Sequence, residues 1–517
     1  MDERRGNPIT RALNECIAGL CDPARQRRFM LAFAVIYGLA WMLYGVIAKS
    51  SQDVNADMAE MVIWAREPAL GYPKHPPLLA FVIKLWFSIF PLTDWAFTLL
   101  AAVTVSAGIY VAFELCGIWL DREKRASVPF LLAVIPFYNF LGLKFDQNSA
   151  LIPLWALAMW GLMRSLDSRR VGWAALTGLA AAAAMLTKYW SGFLLAALAF
   201  TALVDRRRDA YLRSPAPWVT ALVFILAVLP HAIWLIDENF PPLTWITTRR
   251  MTHSAWDFVH SLGEYSFGTL GYGSVAIILV AVLVQPPVAA VRDSWFATDP
   301  ARRPATVLFW TPLALPIIVA LALRTNLLSL WSAPAYNLLP VMMLASPLVV
   351  VSRIAVTRLA AIVTAITLTA VALSPLVALA KLKRGVENNA EYASLAAAAA
   401  EREWRQTTKA PLRLVAGPFA LASSAAFYMT DRPSTYADFS HYLSPWVDQA
   451  RIAREGIAII CPAQDTGCLS AMNMLTIAGP PGRHDEVTLT RHWLGFTGNA
   501  ARFVVATVPP KPTTSSP

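Results

Sequence analysis

The stretch FMLAFAVIYGLAWMLYGVIA, which runs from Phe29 to Ala48, decides the fold class because no charged residue interrupts it. A helix needs about 20 apolar residues to cross the hydrocarbon core of a bilayer, where backbone polar groups must be satisfied within the helix. The preceding Met1–Met30 is basic and has no apolar core ahead of a small-residue cleavage site. We therefore predict that Phe29–Ala48 is a membrane span that the mature chain retains.

Similar uncharged runs follow along the chain. The fold class that they predict is an all-α polytopic membrane protein with about 11 to 13 transmembrane helices. One further apolar run, Pro76–Pro91, is short for a span and contains Lys84, so we expect it to lie at the interface or to re-enter. The ten spans predicted after the first are Trp95–Phe113, Ala126–Leu143, Gln147–Met163, Val171–Thr187, Tyr189–Val204, Ser214–Ile236, Tyr265–Val291, Pro304–Leu323, Thr325–Ser352 and Leu359–Ala380.

The overall composition supports the same class. Hydrophobic residues make up 56% of the 517 residues and charged residues 15%, whereas soluble globular proteins average roughly 45–50% and about 25%. The mean hydropathy is +0.48. These values exclude a disordered chain, a collagen-like repeat and a disulfide-stapled mini-protein, and they argue strongly against a purely soluble enzyme.

The distribution of charge predicts the orientation. The chain has 44 Lys and Arg against 33 Asp and Glu, a formal net charge of +11. No basic stretch is interleaved with aromatic residues, so we expect no nucleic-acid partner and assign the excess to cytoplasmic loops. Eleven spans alternate consistently if Pro76–Pro91 does not cross and if five basic loops lie inside; these are Asp121–Arg125, Arg164–Arg170, Asp205–Arg213, Arg292–Arg303 and Arg353–Arg358. If Pro76–Pro91 does cross, those loops face outward.

The segment after Ala380 has a different character, because the long apolar runs stop there. The charged, Ala-rich segment Lys381–Arg405 favours a helix. Leu412–Ala416 and Gly456–Cys461 have the pattern of short strands, and we expect helices at Ser423–Met429 and Val447–Arg454 between them. We predict a cytoplasmic N-terminal segment (1–28), a transmembrane domain (29–380), a small outer α/β domain (381–503) and a flexible tail (504–517). Cys461 and Cys468 enclose a short loop on the predicted outer side, where a disulfide is chemically allowed.

The first predicted outer loop, residues 49–75, carries two acidic candidates. Asp57, Glu60 and Trp64 follow a spacing that places their side chains on one face of a helix. A carboxylate at the membrane edge can accept the proton of a hydroxyl group. The alternative is a solvated loop in which an acidic residue caps a short amphipathic helix.

The same loop ends in basic residues. Lys74 and His75 precede two prolines, which stiffen the backbone. A Lys and a His can neutralise a phosphate leaving group. An acidic pair and a basic pair on one rigid loop suit a reaction between a hydroxyl and a phosphate-bearing lipid.

Other candidates lie at later corners of the predicted outer face. Asp146 follows Lys144, and its alternative role is the N-cap of a helix. Lys188 ends a span and can instead snorkel to the head-groups. Arg249 and Arg250 follow an aromatic loop that can grip a lipid phosphate or form an interfacial belt with anionic-lipid contacts.

The first outer loop resembles that of a known family. Asp57 is followed, at the end of the same loop, by His75-Pro76-Pro77, with Gly71-Tyr72 between them. This arrangement resembles the C-type glycosyltransferases of the protein O-mannosyltransferase and aminoarabinose-transferase superfamily. The likeness covers roughly residues 30–350, and the Asp57-x-x-Glu60 form is similar to a bacterial subgroup that includes lipopolysaccharide galacturonosyltransferases of rhizobia. Further similar segments are Lys144–Asn148, Leu186–Tyr189, Trp234–Pro241 and Trp331–Pro340.

The resemblance implies a multi-pass enzyme of the bacterial inner membrane whose active site faces the periplasm. It implies a polyprenyl-phosphate sugar as donor and, as acceptor, a hydroxyl of lipid A, lipopolysaccharide core, another envelope glycan or a protein. By position, Asp57 matches the residue that activates the acceptor, Lys74 and His75 match the region near the carrier phosphate, and Asp146 matches an acidic position at the rim. Lys188 and the pair Arg249–Arg250 match donor-phosphate contacts.

Two departures from the family pattern bear on metal binding. Many relatives have adjacent Asp and Glu, whereas Met58 follows Asp57 here and the second carboxylate is Glu60. Asp146 is followed by Gln147 rather than by a second acid. We therefore expect no obligatory metal and no other cofactor, and we expect Glu60 to orient the acceptor or to tune Asp57.

Two other functional classes stay open at this point. A lipid or solute transporter would also have many spans, but its polar groups tend to lie near mid-membrane in repeated halves, and no internal repeat is present. A non-catalytic assembly or chaperone subunit for envelope glycans would keep the spans and tolerate the loss of Asp57.

Overall fold

The computed structural model describes residues 8–249, 254–384 and 392–511, with the side chains of residues 8–10 and 249 left undescribed. The chain divides into two compact units. Unit 1 consists of Met1–Met42, Leu70–Leu78 and Thr98–Val371. Unit 2 consists of Leu43–Ala69, Leu79–Phe97 and Ala372–Pro517.

Unit 1 is built from helices, some of which continue into unit 2. The α-helices are Pro8–Cys21, Gln26–Ala48, Asp94–Cys116, Arg122–Ala133, Gln147–Ser168, Val171–Thr187, Gly192–Val204, Arg208–Leu212, Ala216–Asp237, Pro241–Arg249, Ala255–Leu283, Val288–Trp295, Arg303–Leu323, Leu339–Leu344 and Arg353–Arg384. Tighter 3₁₀ turns form Pro136–Tyr138, Leu141–Leu143, Tyr189–Ser191 and Ser329–Leu338.

The helices identify a multi-span membrane protein. Within the described residues, seven helices are long and apolar enough to cross a membrane, or eight if the bent pair Arg122–Ala133 and Pro136–Leu143 is counted as one span. These seven helices correspond to seven of the eleven predicted spans. The remaining predicted spans are shorter or broken helices. The short run Pro76–Pro91 contains the helix Leu78–Ile89, which has 12 residues. It is about 18 Å long and therefore shorter than the bilayer core of about 30 Å.

Prolines explain the broken spans. The predicted span Ala126–Leu143 bends by 84° before Pro136, and the predicted span Thr325–Ser352 becomes a 3₁₀ helix that contains Pro334, followed by a short helix. A proline removes a backbone donor and clashes with the preceding turn. Buried Asn337 compensates, because it accepts from Tyr138 Oη at 2.8 Å and donates to the carbonyls of Ile152 and Pro334.

Unit 2 contains the predicted α/β domain. A five-stranded sheet has the order β2-β1-β3-β5-β4. β1 (Leu414–Gly417) pairs in parallel with β2 (Ser434–Ala437) and β3 (Ile457–Pro462), while β5 (Phe496–Val508) pairs antiparallel with β3 and with β4 (His484–Trp493). The helices of unit 2 are Ala56–Arg66, Leu78–Ile89, Ala393–Thr407, Phe419–Tyr428, Gln449–Glu455 and Thr466–Ala478.

Two details of this domain bear on the sequence predictions. β5 runs through Val508, so ordered strand extends into the stretch predicted as a flexible tail from residue 504. Its pairing with β3 supplies the reason, because Ile457–Pro462 and Phe503–Val508 form a continuous ladder. Cys461 and Cys468 form a disulfide that links the end of β3 to the next helix, with their Cα atoms 5.7 Å apart.

Candidate active site

The helix Ala56–Arg66 carries the two acidic candidates in unit 2. Asn55 caps it, since its side chain accepts from the backbone N–H of Asp57 at 3.1 Å. Asp57 lies in the first turn and is half-buried, and Glu60 lies one turn later with 8% of its surface exposed. Nearly every residue from Met58 to Trp64 is buried. The helix is therefore not the solvated, acid-capped helix of the alternative interpretation.

Contacts with the C-terminal domain, residues 392–511, fix the end of this helix. Arg66 donates from Nη1 to the carbonyls of Ala426 and Pro433 at 3.1 and 2.7 Å. Burial, together with the charge of Arg432, lowers the pKa of Arg66 to about 10, so the guanidinium stays protonated at neutral pH. Ile63 lies in the same hydrophobic core as the domain's sheet.

The chain before the helix is held by a polar network that is partly buried. Asp53 forms an ion pair with Arg491 at 2.6 Å and accepts from the backbone N–H of Ser394 at 2.8 Å. Tyr428 Oη donates to Asp94 at 2.7 Å and accepts from the N–H of Val54 at 2.7 Å. Burial and the charges of Asp94 and Asp53 raise the pKa of Tyr428, so its hydroxyl remains a donor. The segment with Asp57 is thus bonded at both ends to the C-terminal domain.

The basic candidates of the same loop belong to unit 1, where a tight turn presents them. The N–H of Tyr72 donates to the carbonyl of His75 at 3.0 Å. Gly71 lies so close to the indole ring of Trp234 that an added Cβ would overlap it. This position therefore requires glycine for close approach rather than for an unusual φ.

His231 anchors this turn, and the sequence predictions did not include it. It is 3% exposed, and its ring stacks between those of Tyr189 and Trp234. Nδ1 lies 2.6 Å from the carbonyl of Leu70 and Nε2 lies 3.0 Å from Tyr189 Oη. A carbonyl can only accept, so a neutral ring carries its proton on Nδ1 and accepts from the tyrosine at Nε2.

Lys188 ends the helix Val171–Thr187 and joins a polar network. Its Nζ donates to Asn148 Oδ1 at 2.7 Å and lies 4.5 Å from the ring centroid of Trp331. Asn148 Nδ2 in turn donates to Asp146 Oδ2 at 3.3 Å, and Lys144 Nζ lies 3.8 Å from the same carboxylate. Lys144 therefore lies beside the Asp146 carboxylate, and Lys188 is linked to it through Asn148.

Asp146 also has the capping role that the sequence analysis named as its alternative. Its Oδ1 accepts from the N–H groups of Asn148 and Ser149 at 2.9 and 3.0 Å. Ser149 Oγ reciprocates by accepting from the N–H of Asp146 at 2.9 Å. This capping box begins the helix Gln147–Ser168 and fixes the Lys144–Lys188 network at its end.

The positive charges of Lys188 and Lys74 act on the imidazole of His75. Burial, then the charges of Lys188 and Lys74, lower the pKa of His75 well below its usual value. Its imidazole is therefore neutral at pH 7 and acts as a hydrogen-bonding group rather than as the cation that the sequence suggested. Lys74 Nζ lies 5.4 Å from the ring centroid of Trp245, on the helix that ends at Arg249.

The remaining predicted residues are only partly described. The side chain of Arg249 and the whole of Arg250 lie outside the described residues. Within the described part of the chain, no group of three or more His, Cys, Asp or Glu side chains is placed to hold a metal ion.

Known proteins share parts of this sequence and its fold. Residues 74–234 match the family described as dolichyl-phosphate-mannose-protein mannosyltransferases. The chain is 24% identical over 267 residues to the lipopolysaccharide core galacturonosyltransferase RgtB of Rhizobium johnstonii. That match covers 50% of this chain and 51% of RgtB, so the chain spans about half the length of this curated relative.

Two crystal structures of ArnT from Cupriavidus metallidurans have the same fold. The structure bound to undecaprenyl phosphate aligns with a TM-score of 0.57 over 92% of this chain and 98% of ArnT, at 14% identity. The apo structure gives the same values. The predicted C-type glycosyltransferase fold, with its small C-terminal domain, is thereby confirmed.

Proposed function

We propose that this chain is a C-type glycosyltransferase of the superfamily that includes the protein mannosyltransferases and ArnT. In this proposal it transfers a sugar from a polyprenyl-phosphate carrier to an acceptor hydroxyl at the outer face of the bacterial inner membrane. One observation carries the proposal. The segment that matches the mannosyltransferase family, residues 74–234, contains the cluster formed by Lys74, His75, Lys144, Asp146 and Lys188.

The cluster is suited to a phosphate that gains charge during the reaction. Lys74 and Lys188 act together on His75, so their positive charges overlap in one small region. A sugar attached to a polyprenyl phosphate leaves behind a phosphate monoester with one more negative charge. Fixed cations at that position stabilise the leaving group more than the bound substrate, which is the requirement for catalysis.

Asp57 is the proposed general base. The acceptor hydroxyl gives its proton to the Asp57 carboxylate while its oxygen bonds to the anomeric carbon, and the bond from that carbon to the phosphate oxygen breaks. A single displacement inverts the anomeric configuration. Glu60, one turn from Asp57 and largely buried, orients the acceptor or tunes the base.

The cationic groups act on the leaving phosphate. Lys74 and Lys188 neutralise its charge, and neutral His75 donates a hydrogen bond to it. Asp146 holds the Lys188 side of the site through Asn148. Arg249 and Arg250 are proposed as further donor-phosphate contacts on the basis of their sequence position.

The outer-face location is supported by the Cys461–Cys468 disulfide, since disulfides persist in oxidising compartments such as the periplasm. The similarity to RgtB favours a lipopolysaccharide component as the acceptor. The mass of the missing sugar identifies the donor, and the species that lacks it identifies the acceptor among lipid A, core, another envelope glycan and protein.

A matched set of strains tests the function. The gene is deleted and then complemented with wild type, with Asp57→Asn or with Asp237→Asn, an exposed acid on another predicted outer loop. Mass spectrometry of lipid A, core and other envelope glycans is then compared at equal membrane levels of the protein. We expect one glycan to lose a single sugar in the deletion and to regain it with wild type and Asp237→Asn but not with Asp57→Asn. Full restoration by Asp57→Asn contradicts the proposed base.

A further inference from the structure

A charged cavity lies in unit 1, lined by residues other than those of the Lys188 network. Its volume is 920 Å³, within the range of about 300–1,000 Å³ typical of ligand pockets. The charged residues that line it are Arg27, Glu114, Arg125, Arg164, Asp167, Asp205, Arg206, Arg207 and Arg302. They come from the ends of long helices and from the basic loops that are predicted to lie on the cytoplasmic side.

The cavity lies at the opposite end of the spans from the Lys188 network. The helix Gln147–Ser168 begins with the Asp146 cap and has 22 residues, which makes it about 33 Å long. Arg164 and Asp167, near its other end, line the cavity. That separation is close to the thickness of a bilayer core, about 30 Å, so the cavity lies at the level of the other head-group layer.

The cavity wall has an excess of positive charge. It contains six arginines and three carboxylates, which leaves 6 − 3 = 3 positive charges. Glu114 is shared by Arg27 and Arg125 at 3.1 and 3.2 Å, so one carboxylate serves two guanidinium groups. Arg207 is neutralised by Asp205 and Asp167.

The excess is concentrated at two positions. Arg302 forms ion pairs with Asp293 and Asp299, two residues that do not line the cavity. Among the described residues, no carboxylate lies within 4 Å of Arg164 or Arg206. Arg164 instead lies over the ring of Trp173, 5.5 Å from its centroid, and Arg206 is exposed. Both guanidinium groups are therefore available to an anion.

The apolar part of the wall is aromatic. Trp119, Trp160 and Trp173 line it beside the arginines, and Trp160 and Trp173 pack edge to face at 5.0 Å. Trp119 Nε1 donates to the carbonyl of Ala301 at 3.0 Å, which ties two loops together across the cavity. Tryptophan is enriched at the membrane interface, where head-groups and acyl chains meet.

From this combination we propose that the cavity binds the phosphate head-group of an anionic glycerophospholipid, with Arg164 and Arg206 as its phosphate contacts. Basic pockets between transmembrane helices on the inner side of a membrane bind such head-groups. Guanidinium groups match phosphate oxygens with paired, charge-assisted hydrogen bonds. The indole rings contact the glycerol and the upper acyl chains.

Native mass spectrometry of the purified, delipidated full-length chain tests this site. The probes are cardiolipin, phosphatidylglycerol, phosphatidylethanolamine, undecaprenyl phosphate and inorganic phosphate. We expect the two anionic phospholipids to bind in preference to the others. The double variant Arg164→Gln/Arg206→Gln should weaken cardiolipin binding by about tenfold or more, because two charge-assisted contacts are lost.

Two further variants control for fold and for charge. Arg213→Gln/Arg358→Gln removes two exposed charges that lie in the basic loops but do not line the cavity, and it should leave cardiolipin binding unchanged. Arg164→Lys/Arg206→Lys keeps the charge but loses the paired hydrogen bonds, so its cardiolipin binding should lie between that of wild type and that of the glutamine variant. Equal loss in the control and cavity variants overturns the proposal. So does a preference for undecaprenyl phosphate, which assigns the cavity to the carrier, or ready displacement of the lipid by inorganic phosphate.

Discussion

The carboxylate of Glu67 lies 2.8 Å from the guanidinium of Arg451, and this ion pair joins the end of the helix with Asp57 to the C-terminal domain. Each side chain is about one-fifth exposed, so the pair is neither fully screened nor fully buried. Glu67 lies on the same short segment as the proposed base Asp57, and its ion-pair partner Arg451 comes from a remote part of the sequence.

This pair predicts a coupled loss of stability. Glu67→Gln and Arg451→Gln should each lower the melting temperature, and a double-mutant cycle should give a coupling of about 1 kcal/mol, between the values for surface and charge-assisted pairs. Arg451 also contacts Glu455 at 3.0 Å, so Glu455→Gln serves as the comparison. An additive cycle would show that the Glu67–Arg451 contact contributes nothing.

Substitution of the two acids should separate their roles. We expect Asp57→Asn to lower the turnover of a lipid-linked sugar donor by about 10²–10⁴-fold, the usual contribution of a general base. Glu60→Gln should have a smaller effect and should raise the KM for the acceptor if Glu60 orients it. Steady-state kinetics with purified protein distinguish these outcomes, and equal losses in kcat for both variants argue for a shared proton instead.

Removal of the Lys188 charge should weaken binding of the donor. Lys188→Gln keeps the polar contact to Asn148 but loses the cation, and a charge-assisted contact of about 1.5–3 kcal/mol corresponds to a loss of roughly 10- to 150-fold in kcat/KM. Lys84→Gln, on the short helix Leu78–Ile89, is the matched control. If Lys188→Gln had the kcat/KM of wild type, Lys188 would not be a contact of the donor phosphate.

The depressed pKa of His75 predicts a dependence of stability on pH. The unfolded chain takes up a proton at His75 near the ordinary pKa of about 6.5, whereas the folded chain resists protonation because of burial and the charges of Lys188 and Lys74. The stabilising contribution is therefore fully present above pH 6.5 and is lost as the pH falls below it. Melting temperatures of wild type should decline more steeply between pH 7 and 5 than those of His75→Gln. Parallel curves would contradict the shift.

A methyl group at Gly71 should displace the turn that carries Lys74. The added Cβ of Gly71→Ala overlaps the Trp234 ring, so we expect lower thermal stability and lower activity. Gly71→Ala/Trp234→Leu should recover part of the stability, because the smaller side chain leaves room for the methyl group. Gly172→Ala, where an added Cβ meets no atom within 4 Å, is the control and should behave as wild type.

Sequence periodicity predicted the parts of the fold that depend on long uncharged runs. Gln26–Ala48 and Ala216–Asp237 appear as full-length helices, close to their predicted bounds. Hydropathy could not place the breaks near Pro136 and Pro334, because an apolar run looks the same whether it is straight or bent. The β4–β5 hairpin was missed since much of β4 is exposed and lacks the alternation typical of half-buried strands.

The candidate site was also predicted in part. The helix at Asp57 and the capping role of Asp146 followed from local spacing, which reports contacts between near neighbours in sequence. His231 did not, because a single histidine inside an apolar run has no spacing partner. The sequence feature that could have identified His231 is the presence of an ionisable residue within a predicted span. Such residues are costly in free energy within a membrane and tend to be functional. The lowered pKa of His75 depends first on burial and then on the charges of Lys188 and Lys74, and local patterns contain neither its burial nor its distance from Lys188.

Unit 2 is formed by segments that are far apart in the sequence, so its parts are synthesised at different times. Residues 43–69 belong to the same compact unit as residues 79–97 and 372–517. The segment with Asp57 must therefore wait for 372 − 69 = 303 further positions of translation before synthesis of its C-terminal packing partners begins. At about 5–20 residues per second this delay is roughly 15–60 s. During that interval the nascent chain has already inserted most of its helices while the proposed base remains without its final support. A newly made molecule is therefore expected to become active only after the strands and helices of residues 392–508 have been synthesised.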